Sequence, residues 1–149
     1  MSFRARPKAE SSLLMAAGIV PEPMPVPGLD VRVDQFDHET LDVYKAAIEF
    51  VAAANVFVEK LPQGRSYLAD QLQRAATSIP PNIAEGAGEY SSREKARFYR
   101  MARRFATECA AILDVFETLK LDESKELAGP RELLMRIVAM LVGLVKTKR

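Results

Sequence analysis

From Asp37 onward the apolar residues recur every three or four positions, the period of helices packed along one face. The run "DHETLDVYKAAIEFVAAANVFVEKLP" carries two such rows. Leu41, Tyr44, Ile48, Val51 and Val58 form one, and Val43, Ala47, Phe50, Ala54, Phe57 and Leu61 form the other. A stripe that wide predicts a first helix buried on more than one side, in a bundle interior or at a subunit interface. Asp37 is its expected N-cap, and Pro62 with Gly64 its stop. Asn55 falls in register with Leu41 and Ile48, where a polar side chain is either locally bonded or fixes helix register.

A second helix is expected from Ser66, with Leu68, Leu72, Ala75, Ile79 and Ile83 on one face and Gly86 as a left-handed stop. It holds Pro80 and Pro81. Neither has an N–H, so the carbonyls of Ala76 and Thr77 lose their donors; a kink is expected, with Ser78 and Asn82 placed to bond freed groups. Ser91 or Ser92 then caps the third and longest helix, to about Leu119. Phe98, Phe105, Ile112 and Leu119 repeat along it every seven residues, joined by Ala102, Cys109 and Phe116. "LDESKELAGP" turns the chain. A fourth helix starts at Pro130 or Arg131 and lines up Leu134, Ile137, Leu141, Leu144 and Val145 ahead of a basic end, Lys146, Lys148 and Arg149. No alternating strand pattern occurs. Four helices with short connections predict an all-α fold, an antiparallel up-down four-helix bundle over residues 37–149.

The residues ahead of the bundle differ in kind. Pro7, Pro21, Pro23, Pro25 and Pro27 cannot sustain a helix or a central strand, so residues 1–36 read as an extended or mobile proline-rich N-terminal arm. Its Leu13, Leu14, Met15, Ile19 and Val20 can dock on a partner surface. Arg4, Arg6 and Lys8 ahead of that apolar run resemble a signal peptide, but the run is short, holds a glycine and ends in prolines without a small-x-small cleavage site; export is not expected. No stretch is long enough to span a membrane. The single cysteine, Cys109, leaves no disulfide framework and suits a reducing cytoplasm.

At 149 residues, with 48% apolar and 28% charged residues, the chain has the balance of one globular domain. The net charge of +1 hides an uneven distribution: residues 65–105 hold eight basic side chains against four acidic, and residues 106–132 three against seven. Catalytic chemistry is scarce. The one histidine, His38, sits at a helix start, and no inward Glu-x-x-His pair of a di-metal bundle is present. "EGAGE", with Gly86 and Gly88, lacks the strand, glycine spacing and lysine of a phosphate loop. Cys109 lies on the apolar row as a small core filler. Glu85 and Glu108 adjoin apolar faces and read as helix-end or arginine partners rather than as paired catalytic carboxylates. Neither enzymatic activity nor a cofactor or metal is expected.

Arg93, Arg97, Arg100 and Arg104 stand at offsets of four, three and four on the third helix, one stripe, with Lys95 and Arg103 on neighbouring faces. Arginine suits bidentate phosphate contacts, Tyr90 and Tyr99 lie near enough to interleave, and Arg74 adds a cation on the second helix. Two readings stay open. The stripe binds nucleic-acid phosphates, or it is a solvated face whose arginines pair with Glu89, Glu94 or acids of another helix or subunit.

The run "QLQRAATSIPPNIAEGAGEYSSREKARFYRMARRFATEC" resembles the 23S rRNA-intervening-sequence proteins, a four-helix-bundle family that also includes accessory variability determinants of diversity-generating retroelements. The resemblance rests on Gln71, Leu72, Arg74, Ala75, Ser78, Ile79, Pro80, Asn82, Ile83, Ala84, Glu85 and Gly86. It continues through Ser91, Phe98, Ala102, Arg103 and Glu108. One departure is Arg104 and Phe105, where family members often carry Gly-Ser; the larger residues alter helix packing or add charge. The resemblance implies a ring-like homopentamer with a positively charged surface, no known catalytic residues, and, in retroelements, binding of nucleic acid and a reverse transcriptase. The function expected is therefore a non-enzymatic, oligomeric bundle that binds RNA or DNA as a ribonucleoprotein or retroelement accessory factor. The alternative is a protein-interaction scaffold that binds no nucleic acid.

Overall fold

The computed structural model describes residues 35–147, together with Ala17, Gly18 and Pro27. The expected arm lies almost wholly outside these residues, as do Lys148 and Arg149. Four helices, α1 (Asp42–Lys60), α2 (Ser66–Gly88), α3 (Ser92–Thr118) and α4 (Ser124–Thr147), follow a short 3-10 turn at Asp37–Thr40, and the described residues contain no strand. Asp37 thus opens a turn instead of capping α1. The Phe36 N–H donates to Glu39 Oε2 at 2.7 Å and Thr40 Oγ1 to the Asp37 carbonyl at 2.9 Å. Those local bonds hold the tighter turn, and extended Leu41 then starts the helix with no side-chain cap.

Connections at residues 61–65, 89–91 and 119–123 are too short for anything but antiparallel neighbours. α1 packs on α2 and α4, and α3 on α2 and α4, so α1 and α3 lie diagonally across the bundle. Between them sits a core that includes Phe50, Leu72, Ile79, Ile83, Leu113, Phe116, Leu134, Ile137 and Leu141. Each large side chain buried there stabilises the fold by about 1.5–3 kcal/mol. Phe57 and Phe116 meet edge to face with centroids 6.4 Å apart, adding about 0.5–1.5 kcal/mol.

Of the two apolar rows on α1, the core takes Val43, Ala47, Phe50, Ala54 and Phe57. The other row lies at its margin. Leu41, Tyr44, Val51 and Val58 are half-buried, Ile48 is exposed, and exposed Asn55 bonds Glu59 locally at 3.1 Å. On α3 the buried row is Tyr99, Ala102, Ala106, Cys109, Leu113 and Phe116, so Phe98 and Phe105 are displaced to its edge and Leu119 is exposed. The alternating three- and four-residue spacing of that row is the 3.5-residue seam of closely aligned helices.

α2 continues through both prolines to Gly88. Thr77 Oγ1 donates to the Gln73 carbonyl at 2.6 Å, Ser78 Oγ to that of Arg74 at 2.6 Å, and Asn82 Nδ2 to that of Ser78 at 2.8 Å. The side chains therefore bond carbonyls around the interruption and not those of Ala76 and Thr77. Packing of Ile79, Pro80 and Ile83 in the core keeps the segment helical against its propensity.

Gly86 is not a left-handed stop. It lies inside α2, buried, and a Cβ built on it would stand 2.6 Å from Cε1 of Tyr99. Glycine is needed there because the Tyr99 ring occupies the space of a side chain. α4 begins six residues before Pro130, because Leu127 reaches the core and draws that turn into the helix. α3 ends with Lys120 at φ 54°, its N–H on the Glu117 carbonyl and that of Leu121 on Phe116, a left-handed cap that closes the last turn.

Candidate nucleic-acid interface

The α3 start fixes the direction of the arginine-bearing segment. Ser91 Oγ accepts from the Glu94 N–H at 3.4 Å, which makes Ser91 the N-cap. Lys95 Nζ reaches back across the corner and donates to the carbonyls of Gly86 at 3.1 Å and Ala87 at 2.9 Å, capping the end of α2. With Gly86 pressed on Tyr99, these bonds set the register of the α2–α3 pair.

Opposite the buried row of α3, Arg93, Arg97, Arg100 and Arg104 all stand exposed, and Arg103 is exposed on a flank. Successive side chains advance 100° around a helix, so these four occupy a narrow ridge about 180° from the core. At 1.5 Å per residue the ridge runs about 16 Å. Arg97 donates to Glu94 Oε2 at 2.9 Å and lies 4.6 Å from the centroid of the Phe98 ring. It is the one ridge arginine with an ion pair among the described residues; Arg93, Arg100, Arg103 and Arg104 have none. The expected partner Glu94 is thus engaged once, and Glu89 pairs with none of them.

The other expected site residues divide. Lys95 is committed to backbone carbonyls and stands apart from the ridge. Antiparallel register from Gly86 and Tyr99 sets Arg74 about level with Ala111, roughly 10 Å beyond Arg104. Glu85 and Glu108 are both exposed, and the same register separates them by about 12 Å along the bundle, too far to act as a carboxylate pair. Ser78, Pro80, Asn82 and Gly86 serve α2 and its packing. Tyr99 is 3% exposed, so it belongs to the core and cannot stack on a base, whereas Tyr90 is fully exposed.

Other chemistry lies elsewhere. Burial, with a contribution from Glu108, pushes the Cys109 thiol up to about 12, so it stays protonated. Burial also raises the Tyr99 phenol. The protonated Glu126 carboxyl donates a hydrogen bond to the Asp122 carboxylate, whose charge also repels the Glu126 anion, and both hold Glu126 above its ordinary range. Two surface hollows, of 380 Å³ beside Glu49, Pro130 and Arg136 and of 760 Å³ beside Lys60, Asp122 and Glu126, include no α3 arginine. Among the described residues no charged side chain is buried, no group of acidic, histidine or cysteine side chains could hold a metal, and no helix is long and apolar enough to cross a membrane.

The fold is a four-helix bundle that displays a row of exposed arginines along α3. The sequence model of the 23S rRNA-intervening sequence protein family matches residues 39–143, and the chain belongs to that family. That span covers all of α1, α2 and α3 and most of α4. No curated protein matches the chain.

Proposed function

We propose that this protein is a non-enzymatic accessory factor that binds RNA or DNA through the α3 ridge. The observation that carries the reading is that four arginines, Arg93, Arg100, Arg103 and Arg104, project from one helix without an acidic partner among the described residues. An unpaired guanidinium keeps its full capacity for phosphate, and arginine presents two parallel donors to it. The family's description names an rRNA insertion, which supports a ribonucleoprotein setting for this chain; a partnership with a reverse transcriptase, as in the retroelement branch, belongs to the same reading. Assembly as a homopentamer in the cytoplasm would repeat the ridge around a ring and multiply its avidity. Replacing Arg97, Arg100 and Arg104 by glutamate should abolish retention of RNA or DNA in a mobility-shift assay. Unchanged retention would remove the ridge as the binding surface.

A second reading, a protein-interaction scaffold, draws on the outer faces of α1 and α4. Ile48, Ala52 and Val56 are exposed at four-residue spacing, and Met135 is 68% exposed. Such apolar faces fit self-association or a protein partner. Light scattering with and without a structured RNA separates the two readings.

A further inference from the structure

Tyr90 has a relative exposure of 102%, and no aromatic or cationic group lies against its ring among the described residues. It does not ride on a loose loop. The Glu89 N–H donates to the Gly86 carbonyl, Ser91 caps α3, and Lys95 ties the ends of the two helices together. A large aromatic side chain is thereby held in water at the start of the ridge, three residues before Arg93. It buries no apolar surface, so its display gives no folding free energy.

An aromatic face at the start of a ridge whose Arg93, Arg100 and Arg104 have no ion pair among the described residues fits one kind of polynucleotide. In a duplex the bases are stacked on each other and only their edges are open, so the ring would gain nothing from it. An unpaired strand offers base faces, and stacking on an aromatic ring is available to any base. We infer that the ridge takes single-stranded polynucleotide, with one base stacked on Tyr90 and the adjoining phosphates carried along Arg93, Arg100 and Arg104. This rests on the nucleic-acid reading above and adds to it the strandedness of the ligand and the residue that selects it.

The test uses the full chain and three fluorescein-labelled probes at low salt: a 15-nucleotide oligouridylate, the matching oligothymidylate and a 15-base-pair duplex. Anisotropy titrations compare the wild type with Tyr90→Ala, Tyr90→Phe and Arg100→Glu/Arg104→Glu. Tyr90→Ala should weaken single-strand binding by about 5- to 100-fold, leave duplex binding unchanged and keep the salt dependence of the wild type. Tyr90→Phe should bind like the wild type, since the stacking face is retained. The chain has no tryptophan, so ligand-induced quenching of its tyrosine emission is readable and should shrink in Tyr90→Ala. Tighter binding of either single strand than of duplex supports the inference, and the preferred strand identifies the sugar. Equal duplex and single-strand affinity, or an unaltered Tyr90→Ala, overturns it while the arginine reading survives if Arg100→Glu/Arg104→Glu loses binding. A wild type that binds none of the three probes overturns both.

Discussion

Replacing Gly86 by alanine tests the contact that sets α3 against α2. The added Cβ would lie 2.6 Å from Cε1 and 2.8 Å from Cδ1 of Tyr99, closer than packed carbon atoms allow. Tyr99 is 3% exposed, so its ring has no open space to swing into and the two helices must part or the ring must leave its rotamer. Forcing an extra carbon into a filled site costs about 1–3 kcal/mol. Against this, alanine is favoured over glycine in a helix by about 0.5–1 kcal/mol. Gly86→Ala should therefore lose up to about 2.5 kcal/mol. Gly88→Ala is the control, because Gly88 lies in the same last turn with nothing within 4 Å of a built Cβ. The propensity gain is common to both variants, so their difference isolates the clash at about 1–3 kcal/mol. Urea unfolding followed by circular dichroism, at one protein concentration, gives that difference from the midpoints if m is unchanged. A Gly86→Ala protein as stable as Gly88→Ala would refute the close approach and the register derived from it.

Pro81 is exposed within α2, so Pro81→Ala restores a donor to the Thr77 carbonyl without loss of packing and should raise stability by about 1–2 kcal/mol, read as an increased urea midpoint. Lys95→Met removes the cap on Gly86 and Ala87; it should cost about 1 kcal/mol in thermal unfolding while nucleic-acid affinity changes far less than in Arg100→Glu. The folded Cys109 thiol, held up to about 12, keeps its proton where the unfolded thiol has lost it, so it contributes stability at neutral pH that falls away as pH rises from about 9 toward 12. The raised Tyr99 phenol acts with the same sign at alkaline pH. Midpoints measured between pH 8 and pH 10.5 should fall less steeply in Cys109→Ala, and the native thiol should resist a disulfide reagent until the chain unfolds.

Helix number and order were legible because a period of three to four is a local property of the sequence. Which of two adjacent apolar rows enters the core was not. On α1 the Ile48 row and the Phe50 row satisfy the same period, and only the positions of α2 and α4 select Phe50. The one-residue shift on α3, from Phe98 to Tyr99, has the same origin: a tyrosine reads as half-polar until a glycine on another helix makes room for its ring. Both misplaced boundaries, the stop at Gly86 and the start at Pro130, came from residues with strong local signals that tertiary packing overrides. The arginine ridge was readable directly, since residues spaced four, three and four share a face whatever the partner helices do. Nothing in the spacing revealed that Lys95 turns back to the α2 carbonyls, because that bond depends on the corner at residues 89–91.

Binding of phosphate by the unpaired arginines of α3 is tested most directly by the salt dependence of affinity for a single-stranded 15-nucleotide probe. The three unpaired ridge arginines, Arg93, Arg100 and Arg104, each displacing a counterion, predict a slope of log K against log salt of about −2 per bound site. The Arg100→Ala/Arg104→Ala variant should flatten that slope by about 1.4. A wild-type affinity that does not change with salt, or a variant with the wild-type slope, would contradict the account.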